Sequence, residues 1–209
     1  VPILSEMENL GILASREGLQ QFSRELQKAI EETTATVHEL CGEEFNIGSP
    51  KQLGFILFEK MQIPGGQKTK TGWATGAEVL GELAASHEVC GKVLQWRELS
   101  KLKSTYADAL QGLIQENGRL HTTYSHTGAA TGRLSSNDPK LQNIPIRTAL
   151  GREIRAAFVP RDGWQLVVAD YSQIELRILA HMSEDPVLID AFRSGEDIHT
   201  RTAAEVLGV

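Results

Sequence analysis

Four short stretches of this 209-residue chain carry side chains able to do chemistry. In Asp170-Tyr-Ser-Gln-Ile-Glu-Leu-Arg177 a carboxylate follows the apolar run Trp164–Ala169 and precedes the amphipathic run Ile174–Met182. A carboxylate at the end of a buried strand is costly unless it is paired or holds a cation. Asp170 suits a hard, oxygen-liganded divalent ion such as magnesium, which takes one or two carboxylates plus substrate phosphates. It also suits the cap of the following helix, the commoner role for such an Asp. Glu175 lies five residues on and need not share a face with it, so the two are not an obvious general acid/base pair.

The second stretch is Thr131-Gly-Arg-Leu-Ser-Ser-Asn-Asp-Pro-Lys-Leu-Gln-Asn-Ile-Pro145. It sets an arginine among small and amide-bearing residues, a composition that can clasp a phosphate or a base edge, or form an ordinary polar loop. The third, Gln67-Lys-Thr-Lys-Thr-Gly72, is a basic loop able to follow a phosphate backbone without reading sequence. Its glycine and lysine spacing is not that of a Walker phosphate loop. The fourth is Asp197-Ile-His199-Thr-Arg201, where His199 and Arg201 could meet a triphosphate.

The elements that must position these residues follow from periodicity. Leu19, Phe22, Leu26, Ala29 and Ile30 recur at helical spacing within 16–41, and Gly42 is a plausible stop. Ser49-Pro50-Lys51-Gln52 reads as cap, first-turn proline and capping box, opening a helix to about Met61. Pro64 to Gly72 breaks periodicity and predicts a loop. Thr75-Gly-Ala-Glu78 reads as a second capping box, for a helix through about Ala85. Residues 88–116 carry a further long helical pattern. Asn117-Gly118 signals a turn, followed by a strand over 119–124, mostly loop over 125–148, and strands at about 153–158 and 164–169. Helices are predicted over 174–182, 186–193 and 197–207, the second opened at Asp185-Pro186 and closed by Gly195. The residues alone therefore give an all-helical part to about 117 and then an α+β part.

Composition bounds the rest. With 41% hydrophobic residues the chain can bury a core, and no apolar run is long enough for a membrane span. The start lacks the pattern of a signal peptide. Cys41 and Cys90 predict two core thiols in a reducing compartment. The net charge of −6 is unevenly spread, at −6 over residues 1–50, +3 over 51–103, −2 over 104–118, +5 over 119–161 and −6 over 162–209. A basic middle between acidic ends is compatible with a polyanion track beside a cation-binding carboxylate site.

Taken in order, the motifs resemble the family A DNA polymerases, the bacterial DNA polymerase I type. Asp170–Arg177 is similar to that family's motif A, and Thr131–Ser136 with Leu141–Pro145 to the stretch just upstream. Phe45–Leu53, Lys68–Gly72 and Leu102–Tyr106 resemble its thumb, and Asp197–Ala204 the segment entering its fingers. The resemblance implies an α+β fold, with a helical thumb followed by the first part of an antiparallel-sheet palm and ending at the start of the fingers. Its divisions would be 1–117 for the thumb region, including the strand-like start of the palm near the N-terminus, 118–195 for the palm segment and 196–209 for the start of the fingers.

The same resemblance implies site roles. Asp170 and the Tyr171 carbonyl would hold a magnesium pair. Gln173, Ile174, Glu175 and His199 would meet the incoming deoxynucleoside triphosphate, Glu175 as a gate against a ribose 2′-hydroxyl. Lys68, Lys70, Lys103, Arg133 and Asn143 would contact primer–template DNA, Arg133 through the minor groove at the primer terminus. The family's fingers helix and second catalytic carboxylate are not among these residues, and Lys140 stands where the family often has Asn. The expectation is a cytoplasmic replication or repair polymerase, from a bacterium or a phage-infected cell. It would be truncated or split, inactive alone, and completed by a second polypeptide or a C-terminal region carrying the fingers and the rest of the palm. The competing expectation is a non-catalytic primer–template binding module. A metal-dependent nuclease or phosphatase would need a tighter set of acids than Asp162, Glu175 and Asp185 offer.

Overall fold

The computed structural model describes residues 1–70, 72–146 and 148–208. Thr71, within the basic loop motif, and Val209, the last residue of the fingers segment, lie outside the described residues. The chain forms two compact units, residues 1–164 and 165–209.

The first unit is organised by a 26-residue helix, α2 (Arg16–Cys41). Ser15 caps it by accepting from the Gly18 amide at 3.0 Å, and Gly42 ends it in the left-handed conformation with φ 73°. One face buries Leu19, Phe22, Leu26, Thr33 and Val37. Each large apolar side chain removed from water there contributes about 1.5–3 kcal/mol. A short helix, α1 (Pro2–Leu10), precedes it. Helix α3 (Pro50–Phe55) continues into a π-helical turn, Ile56–Lys60. The sequence places this start and end well, but the capping box is only half formed. Ser49 Oγ accepts from the Gln52 amide at 3.4 Å, whereas Gln52 Oε1 accepts from the Asn46 amide at 2.8 Å.

The expected loop after Pro64 contains a small antiparallel ribbon, β2 (Lys68–Thr69) with β3 (Gly72–Trp73). Helix α4 (Ala77–Ala84) follows, and the capping box predicted at Thr75 is not formed. Gly76 is the N-cap, and the Thr75 hydroxyl instead accepts from Arg97 at 3.3 Å. Helix α5 (Glu88–Lys101), a π-helical segment (Leu102–Asp108) and α6 (Ala109–Leu113) complete the helical region. Two hydrophobic clusters result. One joins α2 and Leu99–Ile114 to Leu120, Ile144 and Ile154. The other gathers Val37, Leu53, Leu57, Phe58, Leu80, Cys90 and Val93.

Antiparallel pairing brings distant segments of this unit together. Strand β1 (Ile12–Leu13) pairs with β4 (Arg119–Leu120), and Ala14 bridges to Phe158. Strands β5 (Thr123–Ser125) and β6 (Ser135–Asn137) form a hairpin, with a 3-10 turn at Leu141–Asn143 behind it. The strand predicted over 153–158 is instead helix α7 (Ala149–Ala156), capped by Thr148 Oγ1 on the Gly151 amide at 3.1 Å. Leu150 and Ile154 are spaced four apart and pack on the first cluster, a helical pattern that the short apolar run concealed.

The second unit holds α8 (Ile174–Ser183), α9 (Pro186–Ser194) and α10 (Ile198–Leu207), as the periodicity predicts. The strand expected over 164–169 is not formed. Residues 164–170 are exposed, with Val167 and Val168 at 88% and 91%, and no described strand pairs with them. An apolar β-branched run has the composition of a strand, but a strand forms only where a neighbouring backbone satisfies its amides and carbonyls. No helix among the described residues is long and apolar enough to cross a membrane.

Candidate functional site

In the second unit the irregular segment from Gln165 ends in a turn at Ser172–Gln173, and α8 begins at Ile174. Gln173 takes the left-handed conformation with φ 52°, which is uncommon for a residue with a Cβ and marks a sharp entry to the helix. Asp170 and Tyr171 precede that turn with exposed side chains, and Glu175 sits in the first turn of α8. Asp170 therefore stands on an open chain segment rather than at a sheet edge, and it does not cap α8, whose N-cap Gln173 makes no side-chain capping bond. The turn is strapped by Arg177, whose Nε donates to the Ser172 carbonyl at 2.8 Å. The Arg177 guanidinium lies 4.5 Å from the centre of the Phe192 ring on α9, a cation–π contact that ties α8 to α9.

Asp197 organises the other side of this unit. Its Oδ1 accepts from the Thr200 amide at 2.8 Å and from the Thr200 hydroxyl at 3.1 Å, capping α10 two residues before the exposed His199. The Thr200 amide and hydroxyl bonds, with lesser contributions from His199, hold the Asp197 carboxyl below the usual carboxylate range. Its Oδ2 accepts from Gln173 Nε2 at 3.4 Å. The Asp170 turn and the first turn of α10 are thus linked through one carboxylate. Of the two basic residues suggested for a triphosphate, His199 is exposed, whereas Arg201 is drawn toward Glu196 at 3.0 Å and Asp190 at 3.5 Å. The Gln173–Asp197 link and the Arg177 strap were not read from the sequence. The Asp-x-x-Thr spacing at 197–200 is a recognisable N-cap signal, but a contact between residues 24 apart leaves no local trace.

The basic residues of the first unit sit on built elements. Lys68 lies on β2 and Lys70 in the turn after it, both exposed. Lys103, on the π-helical segment, donates to Asp108 Oδ2 at 2.7 Å. Burial works to raise the Asp108 carboxyl, but the bonds from Lys103 and Ser23 outweigh it and leave the group below its ordinary value. Arg133 is exposed in the stretch leading into β6. The loop it belongs to is well anchored. Gln142 Oε1 accepts from the Ser136 amide at 2.6 Å, and the Asn143 carbonyl accepts from the Tyr106 hydroxyl at 2.6 Å. Among the described residues, no group of three or more His, Cys, Asp or Glu is arranged to hold a metal ion. Asp170 and the adjacent Tyr171 carbonyl can supply oxygen ligands to a divalent ion, but only a part of the set such an ion takes.

The motif order and this mixed helical fold with small antiparallel sheets are explained by common descent. The family model described as DNA polymerase family A matches residues 16–209. The chain belongs to DNA polymerase family A. It is 53% identical over 212 residues to the DNA polymerase I of Rhizobium leguminosarum, covering 100% of this chain and 21% of that protein. It is 52% identical to the DNA polymerase I of Pseudomonas aeruginosa, covering 100% of this chain and 23% of that one. For Caldicellulosiruptor bescii the identity is 50%, with 100% and 25% covered. The chain thus spans a fifth to a quarter of the length of these family A relatives. Among solved structures it is similar to the POL domain of Pol1 from M. smegmatis in complex with DNA primer-template and dNTP. That likeness has a TM-score of 0.88 and 43% identity, and covers 99% of this chain and 37% of the other.

Proposed function

We propose that these residues are the thumb and first palm segment of a DNA-directed DNA polymerase, which adds deoxynucleotides to a primer 3′ end. In this reading 1–117 is the thumb region with the start of the palm at its N-terminus, 118–195 the palm segment with motif A, and 196–209 the start of the fingers. The observation that carries it is the linked pair of turns in the second unit, with Asp170 exposed just before one and His199 in the other, in a chain of this family.

Asp170, with the Tyr171 carbonyl, would hold magnesium. A bound magnesium pair supplies charge neutralisation and activation of the primer hydroxyl. His199, at the first turn of α10, binds the triphosphate of the incoming nucleotide, and Gln173 keeps that turn beside motif A. Ile174 and Glu175 line the sugar, with Glu175 excluding a 2′-hydroxyl. Lys68, Lys70 and Lys103 follow the duplex backbone, a contribution that weakens as salt rises. For Lys103 this means exchanging its Asp108 partner for a phosphate. Arg133 and Asn143 contact the primer terminus, Arg133 through minor-groove acceptors that every base pair presents.

One carboxylate supplies too few ligands for two ions, so a second carboxylate is needed; it would come, with the fingers, from a second polypeptide or a C-terminal region, and the assembled enzyme would work in the cytoplasm of a bacterium or a phage-infected cell. The competing module that only binds DNA would not need Asp170. Asp170→Ala separates the two in a complemented primer-extension assay with magnesium. Primer–template affinity should be retained while extension is lost. Extension at the unsubstituted rate would leave only the binding role.

A further inference from the structure

The basic ribbon is held by an anchor that the polymerase reading leaves unused. Across the ribbon Lys68 pairs with Trp73, and the Ala74 amide donates to the Gln67 carbonyl at 2.8 Å to close its base. The Trp73 indole is half-buried against the second hydrophobic cluster. Its ring centre is 5.1 Å from that of buried Phe58, and its Nε1 donates to Glu59 Oε1 at 2.9 Å. Lys68 Nζ sits 5.0 Å from the indole centre on the exposed side. Two glycines make room for this docking. A Cβ on Gly54 would lie 2.8 Å from the Trp73 Cβ, and one on Gly66 would lie 2.5 Å from the Phe58 ring. Trp73 thus clamps the ribbon to the π-helical turn at Ile56–Lys60 through a tilted ring contact with Phe58 and a hydrogen bond to Glu59, while Lys68 adds a cation–π contact within the ribbon.

We infer that Trp73 is a positioning residue for DNA: docked on Phe58 and Glu59, it holds Lys68 and Lys70 in place for a duplex phosphate backbone. The inference rests on the proposed DNA-binding role of those lysines. A two-residue ribbon is not stable by itself, so without the anchor its bound geometry becomes a minor state. Binding then selects that state, and affinity falls by the fraction lost while the number of phosphates neutralised is unchanged. Lysine removal has a different signature, because each lost phosphate contact lowers the slope of log K against log salt.

The experiment is primer–template binding by fluorescence anisotropy across a salt series, with hydrogen exchange of the amides at 68, 69 and 73. Trp73→Ala should bind about 10-fold more weakly at fixed salt, as expected if the docked ribbon drops to about a tenth of the population, with an unchanged salt slope and faster exchange. The double variant Lys68→Ala/Lys70→Ala should lower the slope by about 1.8, at about 0.9 per phosphate. Trp73→Phe keeps a ring but not the N–H donor; it should show a smaller loss of the same kind and serves where the alanine variant fails to fold. Wild-type affinity in folded Trp73 variants whose ribbon exchanges faster would overturn the positioning role. An unchanged slope in the double lysine variant would overturn the DNA-binding reading of the ribbon itself, and the inference with it.

Discussion

The two units of this chain bury their side chains very differently. Residues 1–164 enclose two hydrophobic clusters, with Leu19, Leu53, Leu57, Leu80 and Ile154 fully removed from solvent. Among the described residues of 165–209 the buried apolar side chains are Ala180, Ala191 and Ile198, while Leu166, Val167, Val168, Ile178, Leu179 and Met182 are exposed. The first unit carries its own packing energy. The second holds Asp170, to which the proposed function assigns the chemistry, and exposes the apolar residues Leu166, Val167 and Val168 just before that carboxylate. If the proposed roles hold, the densely packed unit grips DNA and the sparsely packed one reacts, so stability and activity should respond to different substitutions.

Core truncation should expose the contrast most strongly. Leu80→Ala, in the second cluster, should cost about 2–5 kcal/mol in chemical denaturation, as buried leucines do. A loss under about 1 kcal/mol would mean that the first unit is not the stability-bearing one. In a complemented assay, Asp170→Ala should reduce primer extension by about 10²–10³-fold, the range for removing one electrostatic stabiliser, and leave the denaturation midpoint in place. Glu175→Ala should raise ribonucleotide incorporation in the same assay, and unchanged sugar selectivity would remove Glu175 from the gate role.

Three smaller effects sharpen the comparison. Burial first, then the nearby Glu43 carboxylate and Cys90, push the Cys41 thiol up to about 11. The thiolate is therefore scarce at neutral pH, and Cys41 should alkylate far more slowly in the folded chain than in denaturant. Equal rates would show the helical core to be open there. In the second unit, the depressed Asp197 carboxyl supports α10 at pH values above its ordinary 3.8 and loses that contribution as pH falls through the lower folded value. Amide exchange in α10 should accelerate in that acid range, and Asp197→Ala should remove the pH dependence. Val168→Ala, on an exposed position, should change stability by less than about 0.5 kcal/mol.

The sequence was most legible where local rules suffice. The stripe from Leu19 to Ile30, the Ser49-Pro50 start, and the Asp185 and Gly195 boundaries depend on periodicity and capping within a turn or two. It was misleading where a partner decides the state. Residues 164–169 have strand composition but no described strand beside them, and 149–156 form a helix because Ile154 and Leu150 meet a core built by distant segments. Thr75 matched a capping pattern, yet Arg97 from α5 engages it instead. The candidate site residues were proposed from their order along the chain, whereas the contacts beside them, Gln173 to Asp197 and Trp73 to Glu59, span 24 and 14 residues and leave no motif.

The most direct test of the proposed role is primer extension with magnesium, by the 209-residue chain alone and by the chain supplied with a polypeptide carrying family A fingers and the second palm carboxylate. The account predicts no extension by the chain alone and Asp170-dependent extension on complementation. Robust extension by the chain alone would contradict it.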